Sequence, residues 1–112
     1  MAGRKFPPDV ARVILSRSDG ACEALISSSC VGSGQHIHHR QLRSQGGRHS
    51  AANCVSICHM CHDWIHANPE LSYEWGWLVK SYADPVETPV RVIGNWLLLS
   101  GSYTLCDPYG AQ

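Results

Sequence analysis

Six cysteines and seven histidines among 112 residues are the side chains with chemistry to offer, and their placement says more than their number. Every histidine falls between His36 and His66, and five cysteines (Cys22, Cys30, Cys54, Cys58, Cys61) fall between 22 and 61. Thiolate and imidazole are the preferred ligands of zinc and its transition-metal neighbours. A disulfide framework would employ the cysteines but leave the histidines unexplained, and the N-terminus lacks the apolar core of a secretion signal. Tetrahedral zinc takes four ligands, so the surplus points to two sites, or to one site beside a reactive centre.

The cysteines form two pairs, Cys22-x7-Cys30 and Cys58-x2-Cys61, the second with the spacing of a zinc knuckle. One structural four-cysteine zinc, joining an entry loop to the base of a helix, is the expected use. Cys54 then reads as a small buried apolar residue, and Cys106 stands alone in the tail. His62 and His66, four residues apart, share one helix face at chelating distance. Zinc proteases use this spacing too, but with Glu after the first histidine, where the shorter Asp63 stands here. A merely solvated histidine face is the plain alternative. It is weakened by the second cluster upstream, His36-Ile37-His38-His39, because two converging clusters would make a site.

These residues need elements to hold them. After Pro7-Pro8, Asp9 or its neighbourhood can cap a short helix with Val10, Val13 and Ile14 at helical spacing, ended by Ser18-Asp19-Gly20. Residues 22–35 are rich in Ser and Gly and read as a loop tied at Cys22 and Cys30. Residues 36–42 and 53–58 read as two strands of a hairpin, joined by a polar loop (43–52) that contains Gly46-Gly47. After the knuckle Cys58-His59-Met60-Cys61, the residues to Ala67 read as a helix interrupted by Asn68-Pro69, where Asn68 as cap and Pro69 in the first position start a second helix that stops near Gly76. In the tail, Trp77-Leu78-Val79, Val90-Arg91-Val92-Ile93 and Trp96-Leu97-Leu98-Leu99 read as short strands, separated by Pro85, Pro89 and Gly94-Asn95. Their Trp and Leu content is expected to serve burial rather than recognition.

Length and composition agree with a small globular unit. Hydrophobic residues make up 44 %, and charged residues 16 %, below the usual ~25 %, which excludes a disordered chain. No apolar run approaches the ~18 residues of a membrane span, so the expected location is cytoplasmic. The net charge of zero hides an asymmetry: residues 1–56 carry seven basic and three acidic residues (+4), and the remainder two basic and six acidic (−4). A basic face near a metal centre would suit a phosphate-bearing partner, against the plain reading of surface solvation.

The ordered run His38-His39-Arg40, Gly46-Gly47, Asn53, Cys58-x-x-Cys61-His62 and His66 resembles the HNH nuclease motif of the ββα-metal fold, in its variety with a four-cysteine zinc. The tail, with Gly76-Trp77-Leu78-Val79, Ala83-Asp84-Pro85 and Trp96-Leu97-Leu98-Leu99, is similar to small HNH proteins of actinobacterial phages and prophages. The resemblance implies an α+β fold: a zinc-stapled ββα-metal core at 22–67, an N-terminal helix, and a C-terminal extension (68–112) of a short helix and strands, all in one HNH nuclease domain spanning 1–112.

It also implies roles. His39 would be the general base that takes a proton from the attacking water. His38, His62 and His66 would hold one catalytic divalent metal. Asn53 would fix the loop between the strands and so hold the base. The first motif position is often Asp in the family and is His38 here, so the all-imidazole set suits Zn2+, Ni2+ or Mn2+ at least as well as Mg2+. Successive strand residues point to opposite faces, so His38 and His39 would share one site only if the backbone bends between them. Arg40, Arg43 and Arg48 would flank the site and hold the nucleic-acid backbone. The activity implied is divalent-metal-dependent DNA endonuclease cleavage, leaving 5′-phosphate and 3′-hydroxyl ends. DNA is the expected partner, and a phage terminase a further one by analogy, with the host cytoplasm as location if phage-encoded. The competing reading is a zinc-stabilised DNA- or protein-binding module without turnover.

Overall fold

The computed structural model describes residues 6–107. Helix α1 (Pro8–Ser18) begins on the proline pair, with Pro7 at the cap position. Proline has no N–H to leave unbonded in a first turn, and its fixed φ already suits a helix. No side chain caps the helix: Asp9, expected at or near the cap, lies in the first turn, where its charge favours the helix dipole. Asp19 and Gly20 close the helix in left-handed conformation, φ 53° and 77°.

The Ser/Gly-rich loop that follows is closed at its neck by Cys22 N–H donating to the Gly32 carbonyl (3.0 Å) and Gly34 N–H to Gly20 (2.9 Å). It delivers the chain to β1 (His36–His39), which pairs antiparallel with β2 (Cys54–Ile57), His36 opposite Ile57 and His39 opposite Cys54. The strand expected to reach residue 42 ends at His39. Arg40 N–H still reaches the Asn53 carbonyl (2.8 Å), but at Gln41 the Asn53 side chain takes over, its Oδ1 accepting the Gln41 N–H at 2.7 Å. A side chain there replaces the ladder, and the strands part into the loop. Gly47 passes so close to Gln41 that a Cβ would lie 1.6 Å from its carbonyl oxygen, so this crossing admits only glycine.

Cys58 then caps α2 (His59–Ala67), its sulfur accepting the Cys61 N–H at 3.4 Å. Pro69 cannot continue that helix, and α3 (Pro69–Glu74) restarts at an angle, tied back by Ser72 Oγ donating to the Ile65 carbonyl (3.1 Å). The segment Trp77-Leu78-Val79 is not the strand expected. It is a buried bend packed along the hairpin, with Val79 N–H on the Arg40 carbonyl (2.9 Å). Three strands complete the described chain: β3 (Val90–Val92), β4 (Asn95–Leu99) and β5 (Tyr103–Leu105), an antiparallel sheet in that order. The β3–β4 turn is Ile93-Gly94, both at positive φ, one residue earlier than the sequence suggests, and β5 was not anticipated. The result is a small α+β protein with antiparallel sheets.

The core joins both sheets. Val55 and Ile57 of β2, Cys61 and Ile65 of α2, Trp77, Val90 of β3 and Leu99 of β4 are all buried in one cluster, so the tail's apolar residues do serve burial. Trp64 and Trp75 stack nearly parallel (5.7 Å, 5°) beside it. No described helix is long and apolar enough to cross a membrane.

Two arginines expected on a basic face are inside. Arg17 forms a two-pronged ion pair with Glu23 (2.7 and 2.9 Å) and donates to the Ala51, Cys54 and Ser100 carbonyls. Tyr103 completes the knot by donating to Glu23 Oε2 at 2.6 Å, so α1, β2 and the C-terminal sheet meet on one buried pair. Arg40 corrects the sequence reading outright. It is 0 % exposed, and its guanidinium donates to the carbonyls of Gly76, Ala52, Pro85 and Thr88. Four of its five N–H donors go to these carbonyls, and with no exposed surface the group holds the C-terminal extension to the hairpin instead of meeting a phosphate. Arg40→Met is therefore expected to destabilise the fold by roughly 3–5 kcal/mol, since it orphans several buried carbonyls together. Thermal or denaturant unfolding checks this, and a loss below about 1 kcal/mol, the scale of an ordinary surface change, would refute it.

Candidate metal centres

Two ligand groups stand out among the described residues. In the first, the sulfurs of Cys22, Cys30, Cys58 and Cys61 all lie within 4.8 Å of one another, and Cys30 and Cys58 are 3.7 Å apart. A tetrahedral zinc with Zn–S near 2.3 Å has S···S edges of about 3.8 Å, so the quartet fits a structural zinc. Backbone N–H groups surround it: Ile26 and Ser27 donate to Cys61, Gly32 to Cys30 and Cys58 to Cys22. Such donors favour thiolate over thiol. Four sulfurs this close cannot all be charged without a cation. Burial and neighbouring sulfur push Cys61 up to about 12, while at Cys58 backbone donors overcome the same burial and bring it down to about 6. The wide x7 spacing works because the Ser/Gly loop turns back on itself, Cys30 N–H on the Ser27 carbonyl at 3.0 Å.

The second group is His38, His62 and His66, whose ring nitrogens also lie within 4.8 Å of one another. Ring centroids are 5.4 Å (His38–His62), 5.6 Å (His38–His66) and 4.7 Å (His62–His66) apart. β1 supplies the first and one face of α2 the other two, as the four-residue spacing requires. His38 is buried, and its Nε2 lies 2.8 Å from the Trp77 carbonyl. That contact calls for an N–H at Nε2, which leaves the Nδ1 lone pair for a metal and locks the ring by the second partner a ligating histidine usually has. Burial pushes His38 down to about 3, with His62 and His66 adding to the effect against the Trp77 carbonyl; His62 is lowered by burial and by His66 and His36. Neutral, converging imidazoles with no carboxylate among them are a donor set for a borderline transition metal. The bend expected at Trp77 to have been a strand thus supplies the ligand's support.

His39 is elsewhere. The expected bend is absent: the β1–β2 ladder runs regularly through both residues, so the structure does not gather His39 into one site with His38, against the condition on which the shared-site reading rested. His39 turns to the loop, its Nε2 2.9 Å from Nδ1 of His49, with Phe6 edge-on to both rings. Strand alternation wins because both neighbouring pairs are held by the ladder. The two imidazoles are nonetheless close enough for the His39 charge to act on His38. Burial, with His49 and Arg43, lowers the His39 pKa.

Asn53 is buried and fully engaged: besides accepting from Gln41, its Nδ2 donates to the Gln41 (3.1 Å) and Arg48 (2.9 Å) carbonyls. It clamps both ends of the loop carrying His49. Arg43 and Arg48 are exposed; Arg43 also donates to the Gly47 carbonyl (2.6 Å), and Arg48 lines a cleft of about 520 Å³ with Ser50, Asn53 and Tyr82. Cys54 is buried as expected, where burial pushes its thiol up to about 11.

Two histidines left without a role by sequence reasoning contact residues singled out above: His36 lies against His62, and His49 against His39. His36 stacks on His62 (5.8 Å), which its place two residues before His38 on one strand already implied. His49 had no comparable signal, because its partner is ten residues away across an irregular loop.

Comparison with curated proteins and with solved structures finds no match for this chain. Residues 22–68, which contain both candidate ligand groups together with His39 and Asn53, match the family model described as HNH endonuclease, so this segment of the chain is similar to the domain of a family of nucleases.

Proposed function

We propose that the protein is a divalent-metal-dependent DNA endonuclease that hydrolyses phosphodiester bonds at the His38–His62–His66 centre. The observation that carries this reading is the convergence of those three imidazoles inside the HNH match, one residue from His39. A divalent ion held there would stabilise charge on the phosphate and on the departing 3′-oxygen.

His39 accepts a proton from water, whose oxygen forms the new bond to phosphorus as the bond to the 3′-oxygen breaks; the departing 3′-oxygen takes a proton from solvent, giving a 5′-phosphate and a 3′-hydroxyl. In-line displacement sets the nucleophile and the leaving oxygen on opposite sides of phosphorus. Asn53 keeps the loop, and with it the environment of His39, in place. Arg43 and Arg48 hold backbone phosphates, contacts that position DNA without reading sequence. A domain this small has little surface for selecting a long sequence, so cleavage is weakly specific or directed by a partner; a phage-encoded role in DNA packaging or processing beside a terminase is the context we favour.

A second reading, a zinc-stabilised binding module without turnover, is favoured by one observation: His39 lies outside the imidazole cluster. Plasmid cleavage by the purified protein across Mg2+, Mn2+, Ni2+ and Zn2+ separates the two. Cleavage is expected with the transition metals at least as strongly as with Mg2+, and none after chelation. Activity that survives chelation, or no cleavage with any ion, overturns the endonuclease reading.

A further inference from the structure

We infer that His49 is a positioning residue that selects the tautomer of His39 in which a lone pair is free to act as base. This rests on the endonuclease reading above and extends it to a side chain that neither motif nor spacing marks. The geometry is a 2.9 Å contact between His39 Nε2 and His49 Nδ1, with ring centroids 5.0 Å apart. Phe6 packs edge-on against both rings, at 5.8 and 4.9 Å, and His39 and His49 are each half-buried. The loop bearing His49 is pinned immediately before it, Asn53 holding the Arg48 carbonyl and Arg43 the Gly47 carbonyl.

Between two neutral imidazoles one nitrogen donates and the other accepts. If His49 donates, the Nε2 lone pair of His39 is consumed and its Nδ1 carries the proton, so no base remains. If His39 donates from Nε2, its Nδ1 lone pair is open to water. Only this second arrangement survives catalysis: once Nδ1 takes the proton of water, both nitrogens of His39 carry hydrogen, and Nε2–H still needs the acceptor that His49 provides. The balance is simple: one proton moves from water to Nδ1, and the hydrogen bond to His49 is kept throughout. A carboxylate performs this service for histidine bases elsewhere; here a neutral ring performs it, with a smaller effect.

The test uses the full chain with its metals. His49→Ala is expected to lower kcat roughly 10- to 100-fold, the usual cost of losing a partner that orients a functional histidine, with KM little changed. His49→Asn, whose amide oxygen can accept in place of Nδ1, is expected to recover most of kcat. Nitrogen-15 NMR of the His39 ring is expected to show hydrogen on Nε2 and none on Nδ1 in the parent, and a loss of that preference in His49→Ala. An active parent with His49→Ala at parental kcat, equal losses in Ala and Asn, or hydrogen on Nδ1 of His39 would each overturn the inference while leaving the endonuclease reading intact. A parent that cleaves nothing with any ion overturns both. If His49→Ala fails to fold, the Asn variant and the parent spectrum still decide.

Discussion

Cys58→Ala is expected to unfold the protein at ambient temperature, and exhaustive chelation of zinc to do the same. The reason lies in what the quartet joins. Cys22 and Cys30 belong to an entry loop with no regular secondary structure of its own, whereas Cys58 caps α2 and Cys61 is buried in its first turn. Without a cation, four sulfurs within 4.8 Å must lose charge or separate, and the half of the loop that carries Cys30 loses its tie to α2, while Glu23 beside Cys22 stays paired with Arg17. A structural zinc contributes on the order of 10 kcal/mol to folding, comparable with the whole stability of a small domain. Cys58 is also a core residue at 0 % exposure, so the truncation adds a packing loss. Circular dichroism with metal analysis reads the outcome. A Cys58→Ala protein that melts within a few degrees of the parent would show that the quartet is not a structural zinc site.

His39→Ala and His62→Ala are expected to abolish most cleavage while leaving the fold standing. General-base catalysis contributes about 10²- to 10⁴-fold, and His39 is expected to lose an amount in that range in kcat. Its melting temperature should stay close to the parent's, because the ring is half-buried at the loop and carries none of the central cluster. His62→Ala removes one of three ligands and should lower the bound metal from two ions per chain toward one, the zinc remaining. The contrast with Cys58→Ala separates a structural from a catalytic centre. Equal destabilisation by Cys58→Ala and His62→Ala would merge the two sites, and parental cleavage in both histidine variants would remove the roles proposed for them.

Local chemistry was legible along the chain wherever it follows from spacing. The hairpin, the break at Pro69, the knuckle at Cys58 and Cys61, and the shared face of His62 and His66 depend on neighbours a few residues apart. The fate of the charges was not legible. Arg17, Arg40, Arg43 and Arg48 look alike as sequence, yet the first two are buried knots and the last two exposed. Of the seven basic residues in the first half, Arg4 and Lys5 lie outside the described residues, and among the five described the Arg17 and Arg40 side chains are buried, so the +4 asymmetry overstates the basic charge these five expose. Nothing local distinguishes these arginines, because three of the four carbonyls that Arg40 meets lie 36 to 48 residues further along.

By itself, the sequence determined the ligand inventory and its division into a thiolate and an imidazole set, since these rest on residue identity and short-range periodicity. Tertiary structure alone decided three things. The Trp77 carbonyl, 39 residues from His38, locks that ring; His39 faces His49 rather than the imidazole cluster; and Arg40 fastens the tail instead of meeting a phosphate. Each is a contact between segments brought together by closing the core, where burial makes an unpartnered polar group too costly to leave. Which partner satisfies it is set by the packing of the whole chain.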